Sequence, residues 1–367
     1  PSVTLTSDAG NGMGYTSIRV RGVDPSRVSV TANGIPMNDA ESSQVFWVNI
    51  PDFASSAENI QIQRGAGTST NGTGAFGASV NIQTENIQTT PSVGIDVAAG
   101  SYGTNKETVR FATGMLADHW AVQGRLSHMG SDGYIDRATV GLNSYFLQAG
   151  YYGDNTAVKF ITFNGKERTY HAWNYTSKLE QSLYGRTYNS CGEYYDEEGN
   201  RQYYKNQTDN YHQQNYQLLW SQRLNNALDF NIGLHYTKGE GYYEQYKAGK
   251  KLYTFNIGQP GDYETKGDVI NQKKMDNDFH GFIASLNYNN GSTLSASLGG
   301  GWNNYNGDHF GKVLWASNAY VPVDFTYYDN ESRKSDGNLY GKVNYELLRG
   351  LNVFADLQYR HTGIRMN

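Results

Sequence analysis

The residue types that carry out catalysis occur along this chain but do not gather into a recognisable catalytic pattern. The chain has 8 His, and no pair of them has metal-ligand spacing supported by a neighbouring cysteine or carboxylate. No Ser-His-Asp or Cys-His arrangement stands out. The single cysteine, Cys191, excludes an internal disulfide framework and is interpreted as a free thiol without a role. The sequence therefore predicts no enzyme, no metal site and no cofactor.

A glycine-rich stretch is the one motif that suggests phosphate binding. It runs from Gly65-Ala66-Gly67 to residues 72–74. A Walker-type phosphate loop ends in Lys-Ser or Lys-Thr, and that ending is missing here. Glycine also serves turns that need a positive φ, because it has no Cβ. We therefore interpret the stretch as a turn rather than as a nucleotide site.

Residues 38–47 have the chemistry of a binding surface. They combine amide and carboxylate side chains with two large aromatics, Phe46 and Trp47. Such a mixture suits a bulky ligand with a polar rim and flat apolar parts. The alternative is that both aromatic side chains pack inside a domain. Tyrosine pairs such as Tyr242-Tyr243 also occur in predicted loops, and tyrosine is favoured in binding surfaces.

The composition limits which elements can position these residues. Hydrophobic residues make up 38% of the 367 residues, and no run approaches the roughly 18 apolar residues that a membrane helix needs. The net charge is −5 and no basic patch recurs, so nucleic acid is not expected as a partner. Tyrosine and tryptophan concentrate near predicted strand ends, as in the aromatic girdles of membrane barrels.

Polar and apolar residues alternate with the period of a β-strand in about eleven segments after residue 90. In the clearest segment Leu228, Phe230 and Ile232 share one face, and Asp229 and Asn231 share the other. This pattern fits a lipid-embedded barrel and a soluble sandwich equally. The segments are residues 93–100, 106–114, 120–129, 143–152, 157–163, 211–222, 228–236, 279–288, 293–302, 339–346 and 351–360.

The connections between these segments favour the barrel. Tight turns alternate with long loops, which puts every long loop on one rim, as in transmembrane barrels. Long structureless loops are unusual in compact soluble domains. The predicted loops are residues 130–142, 164–210, 237–278 and 303–338. Because single-chain bacterial barrels normally have an even number of strands, we expect more strands after these, and a signal segment before Pro1.

The first part of the chain is predicted to form a separate domain. We predict an α+β domain over residues 1–88 and an all-β transmembrane barrel over residues 89–367. Asn33-Gly34 is a hairpin turn signal. Residues 40–57 are expected to hold a helical turn or two, and residues 85–91 to serve as a linker. The predicted strands of this domain are residues 17–21, 27–31, 59–63 and 78–82.

This first domain resembles the plug of TonB-dependent outer-membrane receptors. The resemblance rests on residues 17–22 (Ser-Ile-Arg-Val-Arg-Gly), 28–38, 60–65 (Ile-Gln-Ile-Gln-Arg-Gly) and 72–84, in matching order and spacing. It implies a barrel of about 22 strands whose lumen the plug fills. It also implies energised import of a scarce nutrient, with TonB as partner. Residues 170–174 resemble loops of receptors from the Bacteroidetes.

The resemblance also assigns roles to particular residues. Arg21 and Arg64 would face carboxylates on the inner barrel wall and lock the plug, because arginine pairs bidentately with carboxylates. Two plug segments would form apices that face the outside and touch the substrate. Their candidate substrate-binding residues are Asn11, Met13, Tyr15, Asn38, Asp39, Glu41, Gln44, Phe46 and Trp47.

The substrate class stays open at this stage. The resemblance favours a ferric siderophore or another iron complex, with cobalamin, a glycan or a peptide as alternatives. If the ligand is haem, His171 or His309 would serve as the histidine that captures it. A passive porin or a barrel adhesin is the alternative of a different class. The expected partners are TonB, a small-molecule or metal-chelate ligand and outer-membrane lipids, and a surface lipoprotein is left open.

Overall fold

The structure, a computed structural model, describes residues 3–65, 67 and 76–367. The predicted glycine turn over residues 65–74 therefore falls largely outside the described residues. The strands are β1 Val3–Ser7, β2 Thr16–Val20, β3 Val28–Ala32, β4 Ile35–Pro36, β5 Ala57–Arg64, β6 Ala78–Thr84, β7 Pro91–Ala99, β8 Asn105–Thr113, β9 Trp120–Ser131, β10 Val140–Tyr152, β11 Thr156–Tyr170, β12 Glu193–Tyr195, β13 Arg201–Tyr203, β14 Thr208–Asn225, β15 Leu228–Lys251, β16 Lys266–Asn289, β17 Leu294–Ala316, β18 Thr326–Leu348 and β19 Leu351–Met366.

The helices are few and short in the part of the chain that the structure describes. The longest, α1, has 7 residues, and no described helix is long and apolar enough to cross a membrane. The helices are α1 Lys178–Tyr184 and the 3-10 helices Pro25–Arg27, Trp47–Asn49, Phe53–Ser56 and Leu252–Phe255.

Eleven strands form one large antiparallel sheet. Its order is β7, β8, β9, β10, β11 and then β14 to β19, so the strands follow one another around the sheet in chain order, with β12 and β13 in the loop between β11 and β14. Each of the eleven predicted segments coincides with one of these strands to within one residue or lies inside it. The prediction of an all-β barrel wall is therefore confirmed, and several strands, above all β14 to β18, extend well beyond the predicted bounds.

A band of apolar side chains crosses the outer face of this sheet. Leu218, Leu234 and Phe282 lie side by side on β14, β15 and β16, and they are 42%, 45% and 41% exposed. Just beyond them along the strands, Tyr216 and Tyr236 stack with ring centroids 6.2 Å apart. An apolar band bordered by aromatic rings is the lipid-facing surface of a membrane barrel.

The strands continue far beyond this band on the side of the long loops. β15 and β16 have 24 residues each, or about 80 Å of extended chain, whereas a membrane crossing needs about 9–11 residues. The predicted loops 237–278 and 303–338 are therefore mostly strand. Outside the lipid both faces of a strand meet water or protein, so the alternation that reveals a strand is lost. The long-loop rim carries residues 132–139, 171–207, 252–265 and 317–325.

The first domain is a small sheet that sits against the inner face of the barrel wall. Its strand order is β4, β3, β6, β5, with β3 and β6 parallel. The predicted turn at Asn33-Gly34 is confirmed, since both residues have positive φ, 55° and 83°. The 3-10 helices at residues 47–49 and 53–56 confirm the expected helical turns.

The domain and the wall share one hydrophobic core. Phe53 stacks on Phe163 of β11 with ring centroids 4.6 Å apart. Burying one such side chain stabilises the contact by roughly 1.5–3 kcal/mol, so this seam holds the domain in the lumen. The core residues are Val20, Val28, Val30, Ala32, Ile50, Phe53, Ala78, Val80 and Ile82 of the domain and Phe146, Ile161 and Phe163 of the wall.

Candidate functional site

The first apex, residues 8–15 between β1 and β2, reaches the long-loop rim. The backbone N–H of Tyr134 donates to the Ala9 carbonyl oxygen at 2.8 Å, and the Asn11 amide donates to Ser131 Oγ at 2.6 Å. Gly10 has φ +74°, and a Cβ there would stand 3.0 Å from the Tyr134 ring. Only glycine accommodates that approach without strain. Asn11, a predicted substrate residue, thus also ties the apex to the wall.

Met13 lies on the inner side of the first apex. Its side chain is half-buried and packs against the buried cluster that includes Val140 and Leu142 of β10. Next to it, a Cβ on Gly14 would stand 3.0 Å from the Val140 side chain. Met13 therefore contributes to the packing between apex and wall, and its flexible thioether suits an irregular gap.

Tyr15 joins the first apex to two carboxylates on the wall. Its hydroxyl lies 3.1 Å from Glu167 Oε1 on β11 and 2.5 Å from Asp209 Oδ2 on β14. A hydroxyl has one proton, so it donates to one carboxylate and the other contact needs a proton on the second carboxyl group. Burial and then the charges of Glu167 and Asp209 raise the pKa of Tyr15 well above its usual value. Tyr15 is therefore a neutral donor at physiological pH.

The second apex, residues 38–47, owes its backbone conformation to hydrogen bonds made by its first two side chains, Asn38 and Asp39. Asn38 Oδ1 accepts a hydrogen bond from the Val30 backbone at 2.8 Å, and its Nδ2 donates to the Ser43 carbonyl oxygen at 2.9 Å. Asp39 Oδ1 accepts from the backbone N–H of Ser42 at 2.7 Å. Short polar side chains that bond to nearby backbone groups fix turns in this way. Asn38 and Asp39 thus shape the apex.

Glu41 connects the second apex to the wall. Its carboxylate lies 2.9 Å from His309 Nε2 on β17, and Lys334 of β18 donates to the Ala40 carbonyl oxygen at 2.5 Å. Burial would raise the pKa of Glu41, but hydrogen bonds from His309 and Ser332 outweigh burial and lower it. Glu41 is therefore charged at neutral pH, and the pair with His309 is a tether between plug and wall.

The remaining predicted residues of the second apex line a cavity of the first domain. Gln44, Phe46 and Trp47 line a largely apolar cavity of about 490 Å³ on the flank of the domain. Trp47 is half-buried and packs against the shared core, while Phe46 is 36% exposed. Trp47 thus packs against the core, as the second interpretation from the sequence expected, and contact of Phe46 or Trp47 with a substrate stays a prediction.

The two arginines predicted to lock the plug stand apart from any carboxylate that the structure describes. Arg21 and Arg64 are exposed, and neither forms an ion pair with a described residue. Arg21 has φ +52° at the turn after β2, and Arg64 ends β5. Their role as a lock stays a prediction.

A cluster of ion pairs between plug and wall does occur, but here the plug supplies the carboxylate and the wall supplies the cations. Asp52 of the plug accepts from Lys106 of β8 and Arg125 of β9, and Ser127 Oγ donates to Asp52 Oδ2 at 2.6 Å. The Asp52 and Arg125 side chains are 5% and 3% exposed. Arg125 also donates to the Asp52 carbonyl oxygen. We call these four residues the Asp52 clasp.

The comparisons with known proteins agree with this arrangement. Residues 1–79 match the family model described as TonB-dependent Receptor Plug Domain. Residues 1–79 are therefore a plug domain of the TonB-dependent receptor family. The barrel wall and the plug inside it place the receptor in the bacterial outer membrane. No curated protein sequence matches the chain at a significant level.

Solved structures share the fold of this receptor at low sequence identity. The chain matches the ferric citrate transporter FecA with a TM-score of 0.72 and 14% identity, over 100% of the chain and 53% of FecA. It matches the copper transporter OprC at 0.71 and 12%, over 99% and 50%. It matches the ferric-catecholate import receptor Fiu from E. coli K12 at 0.65 and 16%, over 95% and 55%. The chain thus spans about half the length of these receptors.

Above the plug apices, aromatic and cationic side chains line the lumen of the receptor. Asp209, Tyr243, Lys273 and Tyr328 lie in one row across β14 to β18, on the face that Asp209 turns toward Tyr15. Lys273 Nζ lies 5.8 Å from the centre of the Tyr243 ring. We call Tyr243, Lys273 and Tyr328 the vestibule row. The sequence marked the tyrosine pairs but not which member faces inward.

His171 and Trp173 close one side of this vestibule. Their rings stack with centroids 3.8 Å apart, and the Trp173 ring meets Tyr243 edge-on at 5.6 Å. Burial lowers the pKa of His171 to about 3, so the imidazole is neutral. Both ring nitrogens lack a hydrogen-bond partner among the described residues. The histidine therefore acts as a flat, uncharged neighbour of Trp173.

A polar gap separates the plug from the far part of the wall. It has a volume of about 1110 Å³ and is lined by Asn33 and Asn38 of the plug and by Asn303, Lys334 and Asp336 of the wall, among others. It extends from the second apex toward the short-turn side, where Asn86 and Lys159 also line it. Polar groups on both sides give a passage of this kind a hydrated lining.

The residues that join plug and wall could not be recognised from the sequence. Asp52, Glu167, Asp209 and His309 belong to no motif, and each acts through a residue far away in the chain. Glu167, Asp209 and His309 also lie outside the predicted strand segments, in stretches predicted as loops, so the alternation of polar and apolar residues does not mark them.

Proposed function

We propose that this receptor imports a ferric siderophore or a similar anionic iron complex across the outer membrane, driven through TonB. The observation that carries the proposal is the juxtaposition of the two plug apices with the vestibule row. The apices supply amide and carboxylate groups from below. The row supplies two phenol rings and an ammonium group from the side.

The vestibule chemistry suits an anionic ligand with flat groups. Lys273 offers a positive charge beside the Tyr243 ring, and Trp173 lies edge-on to that ring. Aromatic faces bind flat ligand parts, and a lysine neutralises the negative charge that iron chelates carry. A carboxylate, hydroxamate or catecholate complex of Fe(III) meets both requirements.

The fold neighbours support the substrate class without fixing it. FecA is a transporter of ferric citrate, FpvA is a receptor for pyoverdine, and Fiu is an import receptor for ferric catecholates. OprC is a copper transporter, so a copper complex is the second candidate. No cluster of three or more His, Cys, Asp or Glu residues suited to a bare ion occurs among the described residues, which favours a chelated metal over a free one.

Haem fits the described residues less well. Of the two histidines suggested as haem ligands, His171 is buried against Trp173, and His309 is bound to Glu41. A passive porin is disfavoured because the plug shares its core with the wall and occupies the lumen. Coupling to TonB follows from the plug domain, since a plugged barrel needs an input of energy to pass its cargo.

Binding by the full-length receptor in detergent tests this proposal. The receptor would be titrated with ferric citrate, a ferric catecholate, a ferric hydroxamate, haem, cobalamin and a copper complex while its tryptophan fluorescence is followed. We expect saturable quenching by a ferric complex, because Trp173 lies in the vestibule. Lys273→Gln should weaken that binding about tenfold or more, the scale of one charge-assisted contact. Lys205→Gln, in an exposed loop, is the matched control.

Some results of these titrations would contradict the proposal. Saturation by the copper complex alone, or by cobalamin alone, would replace the iron complex as cargo. Equal quenching in Lys273→Gln and in the unchanged receptor would remove the vestibule row from the site.

A further inference from the structure

One tyrosine hydroxyl of the first apex meets two carboxyl groups of the wall. The Tyr15 hydroxyl lies 2.5 Å from Asp209 Oδ2 and 3.1 Å from Glu167 Oε1. The two acids are close because Asp209 pairs with Thr169, which lies two residues beyond Glu167 on the same face of β11. Glu167 is 3% exposed, so the contact is shielded from water. The protons available at this contact therefore decide whether it holds.

The distances show where the protons of this contact lie. A hydroxyl that donates to a charged carboxylate gives a bond of about 2.5–2.7 Å, which fits Tyr15 and an ionised Asp209. Thr169 Oγ1 donates to the other oxygen of Glu167, Oε2, at 3.3 Å. The Tyr15 hydroxyl has no second proton, so its bond with Glu167 Oε1 forms only when Glu167 is protonated and is itself the donor. The chain of donors therefore runs from Glu167 through Tyr15 to Asp209.

No cation among the described residues compensates the two acids. Neither Glu167 nor Asp209 forms an ion pair with a described residue. Lys273 is two strands away from Asp209, with Tyr243 between them. The other titratable side chains around the contact, in the described part of the chain, are two acids, two phenols and a neutral histidine: Asp8, Asp39, Tyr170, Tyr211 and His171. Two negative charges at Glu167 and Asp209 would therefore repel each other in a site with little water.

The protonated form of this contact is favoured at neutral pH. Burial, and then the charge of Asp209, raises the pKa of Glu167 to about 8. Burial also raises the pKa of Asp209. The stabilisation that a raised carboxyl pKa gives is complete below the ordinary value of about 4 and is lost as the pH rises through the raised value. The contact thus weakens in alkaline medium, whereas the Asp52 clasp needs a charged carboxylate.

We propose that Glu167, Tyr15 and Asp209 form a proton-controlled latch, in which one proton on Glu167 seats the first apex on the wall and loss of that proton releases it. The segment released is residues 8–15, which carries the candidate substrate residues Asn11 and Met13. An effect of the latch on cargo rests on the proposed function, whereas the release of the apex does not.

Hydrogen exchange of the full-length receptor in detergent, without cargo, tests the latch. Exchange of the backbone amides is followed by mass spectrometry and divided by the intrinsic rate at each pH. We expect the protection of residues 8–15 to fall tenfold or more between about pH 6 and about pH 9. Residues 50–56 serve as the internal reference, because Asp52 and its cationic partners keep their charges over this range.

Two variants that remove one ionisable acid should abolish this pH dependence. Glu167→Gln places an amide N–H donor near Tyr15 that cannot be lost as the pH rises. Asp209→Asn leaves a single carboxylate, which the Tyr15 hydroxyl satisfies without a further proton. Glu240→Gln removes an exposed carboxylate of β15 and is the matched control, which should keep the full loss of protection.

Equal protection of residues 8–15 at both pH values in the unchanged receptor would overturn the latch. A tenfold loss that persists in both Glu167→Gln and Asp209→Asn would also overturn it, because another group would then be titrating. A variant that has failed to fold is recognised by lost protection over residues 50–56, and the other variant then decides. Failure of every ferric complex to bind would instead contradict the proposed function and leave these exchange results unaffected.

Discussion

At the scale of single residues, plug and wall are joined by a few charged groups whose partners lie far apart in sequence. The Asp52 clasp is the most buried of these contacts. Two charges taken out of water together are stable only as a pair, so removing one leaves the other unpaired and buried. This makes the clasp sensitive to a single substitution.

Asp52→Asn should therefore loosen the plug. It leaves Arg125, which is 3% exposed, without a counter-charge, at a cost of about 3–5 kcal/mol. Hydrogen exchange of the backbone amides over residues 50–56 should speed up accordingly. Asp24→Asn, which removes the exposed pair with Arg19, should change exchange little. Unchanged exchange in Asp52→Asn would mean that the clasp does not hold the plug.

The clasp also predicts how plug attachment depends on pH. Burial would raise the pKa of Asp52, but hydrogen bonds from Lys106, Ser127 and Ser55 outweigh burial and hold it below its usual value. A depressed carboxyl pKa stabilises the folded state above the ordinary value of about 4 and loses that effect as the pH falls through the depressed one. We expect the protection of residues 50–56 against exchange, measured relative to the intrinsic rate at each pH, to stay high at neutral pH and to fall only below about pH 4. A loss of this protection already near pH 6 would contradict this account.

The hydroxyl of Tyr15 should matter for the first apex. Tyr15→Phe keeps the ring but removes the donor between Glu167 and Asp209. A buried acceptor without its donor costs about 1–3 kcal/mol, so the first apex should exchange faster at residues 8–15. Tyr175→Phe is the matched control, since its hydroxyl lies 3.3 Å from Asp8 on an exposed side chain. Equal exchange in both variants would argue against a structural role for the Tyr15 hydroxyl.

At the scale of elements, the sequence indicated every barrel strand but not how far each extends. Alternation marks a strand where lipid lies on one face and a wet lumen on the other, as at residues 228–236. Beyond Tyr236 both faces of β15 are polar, so the sequence predicted a loop where the strand in fact continues. The plug strands were recognisable through their resemblance to the family, while Asp52 had no local signal at all.

The strand extensions predict a labelling pattern in intact cells. Asp308→Cys lies on the outer face of β17 beyond the lipid band, and Leu298→Cys lies inside the band and is apolar and exposed. A membrane-impermeant maleimide should label Asp308→Cys and spare Leu298→Cys. The native Cys191 is 1% exposed and should give a low background. Protection of Asp308→Cys would mean that the lipid band reaches higher than the aromatic rows indicate.

At the scale of the whole molecule, the receptor is a wall, a plug and a vestibule that share contacts. The plug packs its core on β10 and β11, is clasped at β8 and β9, and is tethered through Glu41 at β17. On the proposed function, cargo held by the vestibule row would rest on the two apices, and binding would be linked to plug position through Tyr15 and Glu41. The polar gap lies beside the plug, next to the second apex.

Uptake of the bound iron complex by cells that carry the full-length receptor tests the central claim most directly. Radiolabelled ferric complex, chosen from the binding panel, would be followed into cells with and without a proton gradient, and into cells with Lys273→Gln. Saturable uptake that stops when the gradient is collapsed, and falls with Lys273→Gln, is the result that this account predicts. Uptake that continues without the gradient would contradict it and identify a passive pore.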